Sequence, residues 1–193
     1  MKDYIEIFLH IYSRSFILIN TFVHKYRFMN FGKKSTIGYR CIFQMPKKIS
    51  IGNNVTISSD VKINAYDLSE ENKSSLNIGD GSFIGRGTHI NAYKKVVIEE
   101  HVLIGENVYI GDTDHNYDEN SELPIIMQGW KCKEPVLLKR GCYISKNAVI
   151  LPGIIVGKNA IVGPNAVVTM NIPNYALAWG NPARLIKNNN PNE

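Results

Sequence analysis

Apolar residues along this chain recur every six positions, a period that neither an α-helix nor a coiled coil produces. The large ones fall in triplets: Phe31, Ile37, Phe43, then Ile51, Ile57, Ile63, then Ile78, Ile84, Ile90, then Ile98, Ile104, Ile110. An unbroken run follows, through Leu138, Ile144, Ile150, Val156, Val162 and Val168. Four places after each aliphatic sits a small or β-branched side chain, such as Val55, Ser82, Thr88, Cys142, Ala148 or Ala160. The pattern predicts short strands with a turn after each, every unit sending one large and one small side chain inward. Gly often follows the aliphatic directly, as at Gly32, Gly52, Gly85 and Gly163, and is expected to supply the unusual φ that each corner needs. Three such sides close a triangular coil that pairs with the coils above and below, and six coils make a prism roughly 29 Å long.

The interruptions of the grid carry as much information as the matches. Extra residues appear after Phe43, Ile63, Ile90 and Ile110, always after the third side of a coil. Every loop therefore leaves from one corner and need not disturb the stack. The predicted architecture is all-β, a parallel β-helix of about six coils over residues 31–187, with a long insertion at 112–136. Ahead of it, residues 1–30 are rich in aliphatic and aromatic side chains, but Arg14, Asn20, His24, Lys25 and Arg27 break the stretch too often for a spanning helix. This segment is expected to be amphipathic and helical, docking on the protein itself or a neighbouring subunit in preference to a membrane face. The Asn-rich tail, 188–193, is expected to be disordered.

Composition adds little. The 193 residues suit one domain, and a net charge of +5 fits a polyanionic ligand, an anionic membrane or merely a solvated surface. Three cysteines without metal-type spacing point to a reducing compartment, and no signal peptide is evident. Cys41 and Cys142 occupy small inward slots, where a thiol serves as compact filler.

The segments IGNNVTI, IGDGSFIGRGTHI and VGKNAIVGPNAVV, with the closing GNPAR, resemble the hexapeptide-repeat acyltransferases. The resemblance covers about residues 31 to 187, brings in the left-handed sense of the coil, and is greatest toward maltose, galactoside and surface-polysaccharide O-acetyltransferases. It implies acetyl-CoA as donor, a glycan or sugar as acceptor, and a homotrimer with active sites between neighbouring prisms. The expected location is cytoplasmic, at or near the inner face of the membrane, with no nucleic acid as partner.

The resemblance places the catalytic base at His115, in the polar cluster that opens the insertion. Histidine suits removal of a hydroxyl proton near neutral pH. Asp114, Asp118 or a backbone carbonyl would orient the ring, and Asn91 would lie near the acceptor. For the donor it implies Tyr143 at a position where Trp is common, and Lys146, Gly163, Pro164 and Thr169 on matching coil edges. It also sets Arg184 of GNPAR on a phosphate, with Lys158 as a substitute phosphate contact. Met170 stands where relatives often carry Lys. His89, His101 and His115 lack the spacing of the zinc-binding γ-type carbonic anhydrases, so no metal is expected. The alternatives are transfer to a small acceptor, such as an amino sugar or antibiotic, and a non-catalytic β-helix scaffold.

Overall fold

The computed structural model describes residues 15–66, 75–132 and 134–188. Its strands form three parallel faces. Six strands from Asn30–Phe31 to Ile155–Val156 make the first, and six from Ile42–Gln44 to Val167–Val168 make the third. The second, from Thr36–Ile37 onward, has eight, because Ala176–Gly180 continues it in parallel and Ala183–Asn188 turns back antiparallel. The chain thus completes six coils and opens a seventh, begun by the bridge between Val156 and Ile172.

The registers reproduce the six-residue grid. On the second face Ile37, Ile57, Ile84, Ile104, Ile144 and Val162 pair in sequence, and on the third Phe43, Ile63, Ile90, Ile110, Ile150 and Val168 do the same. Most of these side chains are fully buried, each worth about 1.5–3 kcal/mol over exposure. Polar residues in the small inward slots answer the coil backbone: Ser82 Oγ donates to Glu99 O at 2.9 Å and accepts from Val102 N at 3.1 Å.

The corners differ from expectation. Residues in the left-handed region lie three positions after the inward aliphatic, as at Asn54, Asp60, Asn107, Asn147, Asn159 and Asn165. Asn and Asp tolerate that region better than other residues with a side chain. The Gly directly after the aliphatic serves close stacking instead: a Cβ at Gly32 would stand 2.2 Å from the carbonyl carbon of Gly52, and one at Gly85 would stand 2.1 Å from Gly105 O.

A helix over 15–25 docks against the first coil. Asn20 Nδ2 donates to the carbonyl of Gly38, Ile37 N donates to Thr21 Oγ1 at 2.9 Å, and His24 packs edge-on against Phe43. Phe28 then closes the end of the prism, its ring 5.7 Å from that of Phe31 and 5.0 Å from that of Phe43. Docking on the protein itself was expected, but the contact is made by the polar stripe of the helix. Residues 1–14 and 189–193 lie outside the described residues, while Asn188 ends the last strand.

Candidate active site

The insertion begins at Asp112, which is fully buried. Its carboxylate accepts three backbone N–H bonds from the preceding coil, from Tyr93 at 2.8 Å, Lys94 at 2.7 Å and Lys95 at 2.6 Å. Three donors on one carboxylate offset the cost of its burial and fix the corner at Tyr93. Past Asp112 the chain forms an antiparallel hairpin, Thr113–His115 against Trp130–Cys132, with His115 directly opposite Trp130.

That pairing sets up a column of rings. The His115 imidazole stacks on the Trp130 indole with centroids 4.0 Å apart and planes 29° from parallel. Trp130 lies 5.3 Å from Tyr93, and Tyr93 lies 4.4 Å from Tyr66. Tyr66 follows Ala65 just as Tyr93 follows Ala92 in the paired strand, so the two tyrosines sit one above the other. The Tyr66 hydroxyl in turn donates to Gln44 Oε1 on the coil below. His115 itself is exposed, and among the described residues neither of its ring nitrogens has a hydrogen-bond partner.

The carboxylates expected to orient the ring are engaged elsewhere. Asp114 Oδ1 accepts the backbone N–H of His115 at 2.8 Å, and Asp118 Oδ1 accepts that of Asn120 at 2.9 Å. Asp114 Oδ1 therefore shapes the strand, and among the described residues the imidazole is held by stacking.

Asn91 belongs to a polar strip on the outer surface of the third face. Asn64 Nδ2 donates to Asn91 Oδ1 at 2.9 Å and lies 3.0 Å from His89 Nε2, while Asn91 Nδ2 donates to the Tyr109 hydroxyl at 3.2 Å. Asn64 Oδ1 is buried without a hydrogen-bond partner among the described residues. Burial, with Lys62 nearby, holds His89 below the usual imidazole value, so its ring stays neutral within the network. Gly111 stands opposite Asn91, and a Cβ there would stand 2.7 Å from the Tyr109 hydroxyl. The bare glycine lets that ring lie along the strip. His89 on this strip, His101 at a left-handed corner and His115 in the hairpin occupy separate places.

The donor residues are not gathered by one chain. Lys146 and Pro164 share the corner between the second and third faces, on successive coils, joined by Asn165 N to Lys146 O at 3.1 Å. Gly163 beside them receives Trp179: a Cβ there would stand 1.9 Å from the indole Cδ1, and Arg184 pairs with Trp179 across the last hairpin. Tyr143 stands on the outer second face in one column with Phe83, Leu103 and Ile161, all 36–45% exposed. Lys158 lies at the corner between the first and second faces, whereas Thr169 and the exposed Met170 follow the third face, at the corner that also carries the His115 hairpin. Of the four residues expected on matching coil edges, Lys146, Gly163 and Pro164 share one corner and Thr169 lies at another.

Burial pushes the Cys41 thiol up to about 11 and the Cys142 thiol up to about 12, so both are protonated at neutral pH and unsuited to nucleophilic attack.

Tyr66, Tyr93, Trp130 and the anchoring role of Asp112 escaped the sequence reading. One signal was present: Ile-Asn-Ala-Tyr occurs twice, at 63–66 and 90–93, in positions that the grid makes neighbours.

Residues 135–169 match the bacterial transferase hexapeptide family (six repeats), and residues 95–111 match the hexapeptide repeat of succinyl-transferase. The probable acetyltransferase Rv3034c of Mycobacterium tuberculosis is 35% identical over 141 residues, which cover 73% of this chain and 44% of that protein. The chain thus spans less than half the length of this curated relative. Among solved structures, AntD, an N-acyltransferase from Bacillus cereus in complex with dTDP and 3-hydroxybutyryl-CoA, aligns with a TM-score of 0.74 at 22% identity, covering 88% of this chain and 87% of AntD. The hexapeptide-repeat-containing acetyltransferase VCA0836 of Vibrio cholerae, complexed with acetyl coenzyme A, aligns with a TM-score of 0.57 at 22% identity, over 86% of this chain and 73% of that one. The hexapeptide repeat of these transferase families is thus present in two separate stretches of this chain, and its coil stack is the left-handed β-helix of the hexapeptide-repeat acyltransferases.

Proposed function

We propose that the protein is an acetyl-CoA-dependent acyltransferase that modifies a sugar hydroxyl, in the assembly of a bacterial surface polysaccharide, with His115 as general base. The observation that carries this reading is the exposed His115 imidazole, stacked on Trp130 at the end of a short hairpin rooted in a rigid coil. In the proposed reaction His115 takes the acceptor proton as the oxygen attacks the thioester carbonyl. The carbon–sulfur bond then breaks, and the imidazolium returns the proton to the departing thiolate. Asn91 and the amide strip around it offer hydrogen bonds to acceptor hydroxyls.

The donor residues fit coenzyme A in kind. Lys146, Lys158 and Arg184 are exposed cations for its phosphates, and the Tyr143 column offers apolar surface to the pantetheine arm. Because these groups lie on different corners of one prism, the proposed site forms between neighbouring copies of a homotrimer. The insertion's apolar tip supports this, with Ile126 and Met127 at 82% and 68% exposure.

A second acceptor is favoured by one observation: a variant of AntD, with the same coil stack, was solved with dTDP-4-amino-4,6-dideoxyglucose and coenzyme A. A nucleotide-linked amino sugar is therefore tested beside hydroxylated glycans. Incubation with acetyl-CoA and a panel of both classes is expected to release free thiol only with an acceptor. Product masses report O- or N-acetylation. Absence of turnover with every acceptor, together with no binding of coenzyme A, would return the chain to a scaffold.

The ring column makes its own prediction. Trp130→Leu is expected to lower kcat about tenfold, with KM for acetyl-CoA and the thermal midpoint unchanged, while Trp130→Phe retains most of the rate. The upfield ring-current shift of the His115 proton resonances should vanish in the Leu variant. An unchanged kcat, or a loss confined to acceptor KM, would deny Trp130 this positioning role.

A further inference from the structure

The helix over 15–25 is inside out by the standard of a soluble protein. Its polar stripe, Asn20, Thr21 and His24, faces the first coil. Its apolar stripe faces away: Leu18, Ile19, Phe22, Val23 and Tyr26 are each 60–70% exposed. Amphipathic surface helices normally do the reverse. Large apolar side chains so exposed side by side on one helix face mark an interaction surface.

Charge identifies the partner. Between Glu6 and Asp60 the sequence contains no acidic residue, while Lys25, Arg27, Lys33, Lys34 and Lys47 all lie in that interval. Lys25 stands within the patch itself, its Nζ 4.8 Å from the Phe22 ring and 4.7 Å from the Tyr26 ring. Lys33 and Lys34 are exposed at the first corner of the same coil, and Lys47 lies in the 3₁₀ turn Pro46–Lys48 that leads to the next. An apolar face on a segment whose own charges are all cationic matches an anionic bilayer: the side chains enter the acyl boundary and the ammonium groups meet lipid phosphates. A second copy meeting the same face isologously would instead set these cations against each other, with no carboxylate from this interval to answer them. No helix among the described residues is long and apolar enough to cross the membrane, so the contact is peripheral.

We infer that this end of the prism docks on anionic lipid and holds the enzyme at a membrane surface, independently of which acceptor it acylates. The measurement is vesicle flotation of the full chain. The bound fraction should rise about tenfold when phosphatidylcholine vesicles receive about 30% phosphatidylglycerol, and fall again in about 0.5 M salt. Phe22→Glu should abolish flotation with an unchanged thermal midpoint and an unchanged elution mass, because the side chain is exposed. Lys33→Glu with Lys34→Glu should weaken it several-fold while leaving the apolar face intact. Equal binding to neutral and anionic vesicles, or no binding to either, would overturn the inference. So would a drop in oligomer mass in the Phe22→Glu variant, which would make a second copy the occupant.

Discussion

Replacing His115 by alanine is expected to lower acceptor-dependent thiol release from acetyl-CoA roughly a hundredfold or more, the usual contribution of a positioned general base. The imidazole is exposed, and among the described residues its one ring partner is Trp130. Its loss should therefore leave the thermal midpoint within about a degree, since surface substitutions of this kind change stability by less than about 0.5 kcal/mol. The combination separates chemistry from folding. Coenzyme A binding, followed by calorimetry, should persist in the variant, because the cations proposed for its phosphates, Lys146, Lys158 and Arg184, lie away from the hairpin. Turnover within about tenfold of the parent would remove His115 from the mechanism while leaving the fold assignment intact. Trp130 and His115 should then be combined: if the ring column acts only through the base, Trp130→Leu adds no further loss in the His115→Ala background.

The second large effect is expected at Asp112, on stability and rate together. Asp112→Ala leaves the backbone N–H groups of Tyr93, Lys94 and Lys95 without their acceptor. An unsatisfied buried donor costs about 1–3 kcal/mol, and partial entry of water should hold the total near 3 kcal/mol. For a chain of this size that corresponds to a fall of roughly 6–12 °C in the midpoint. The corner carrying Tyr93 then loosens, and the ring column above it loses its footing. The rate at a temperature where the variant is folded should fall about tenfold. Asp112→Asn, which keeps one acceptor oxygen, should lie between the two. A variant that melts early but turns over at the parental rate would separate the corner from the chemistry.

These two residues show how differently parts of the site are written into the chain. His115 was visible because resemblance fixed its place beside a polar cluster in the longest insertion. Asp112, its neighbour by three positions, read as one more polar residue of that cluster. Its role depends on amides of residues 93–95, which lie a full coil earlier in the chain, and no local pattern records that approach. Trp130 joins His115 only because the hairpin register sets them opposite one another. Tyr66 and Tyr93 were half legible: the repeated Ile-Asn-Ala-Tyr, read on the grid, predicts stacked tyrosines, although not that a tryptophan from the insertion completes the column. The glycines teach a similar lesson. Their positions after each aliphatic were plain, but their purpose is set by the adjacent coil, whose backbone comes too close for a Cβ.

The sequence by itself determined the coil. A six-residue period with alternating large and small inward positions has one economical solution, because each unit must bury its side chains while its backbone hydrogen-bonds to neighbours above and below. The confinement of every loop to one corner followed from the same arithmetic. What only the tertiary structure decided are the contacts made across coils and at the ends of the stack. The carboxylate of Asp112 reaches back to an earlier corner, and the rings run from Gln44 to His115. The helix over 15–25 turns its polar stripe inward because the open end of the prism presents backbone groups, Ile37 N and the carbonyl of Gly38, that need partners. Periodicity reports which face of a segment is apolar. Which face meets the protein depends on the hydrogen-bonding needs of the surface it lands on, and those exist only once the coils are stacked.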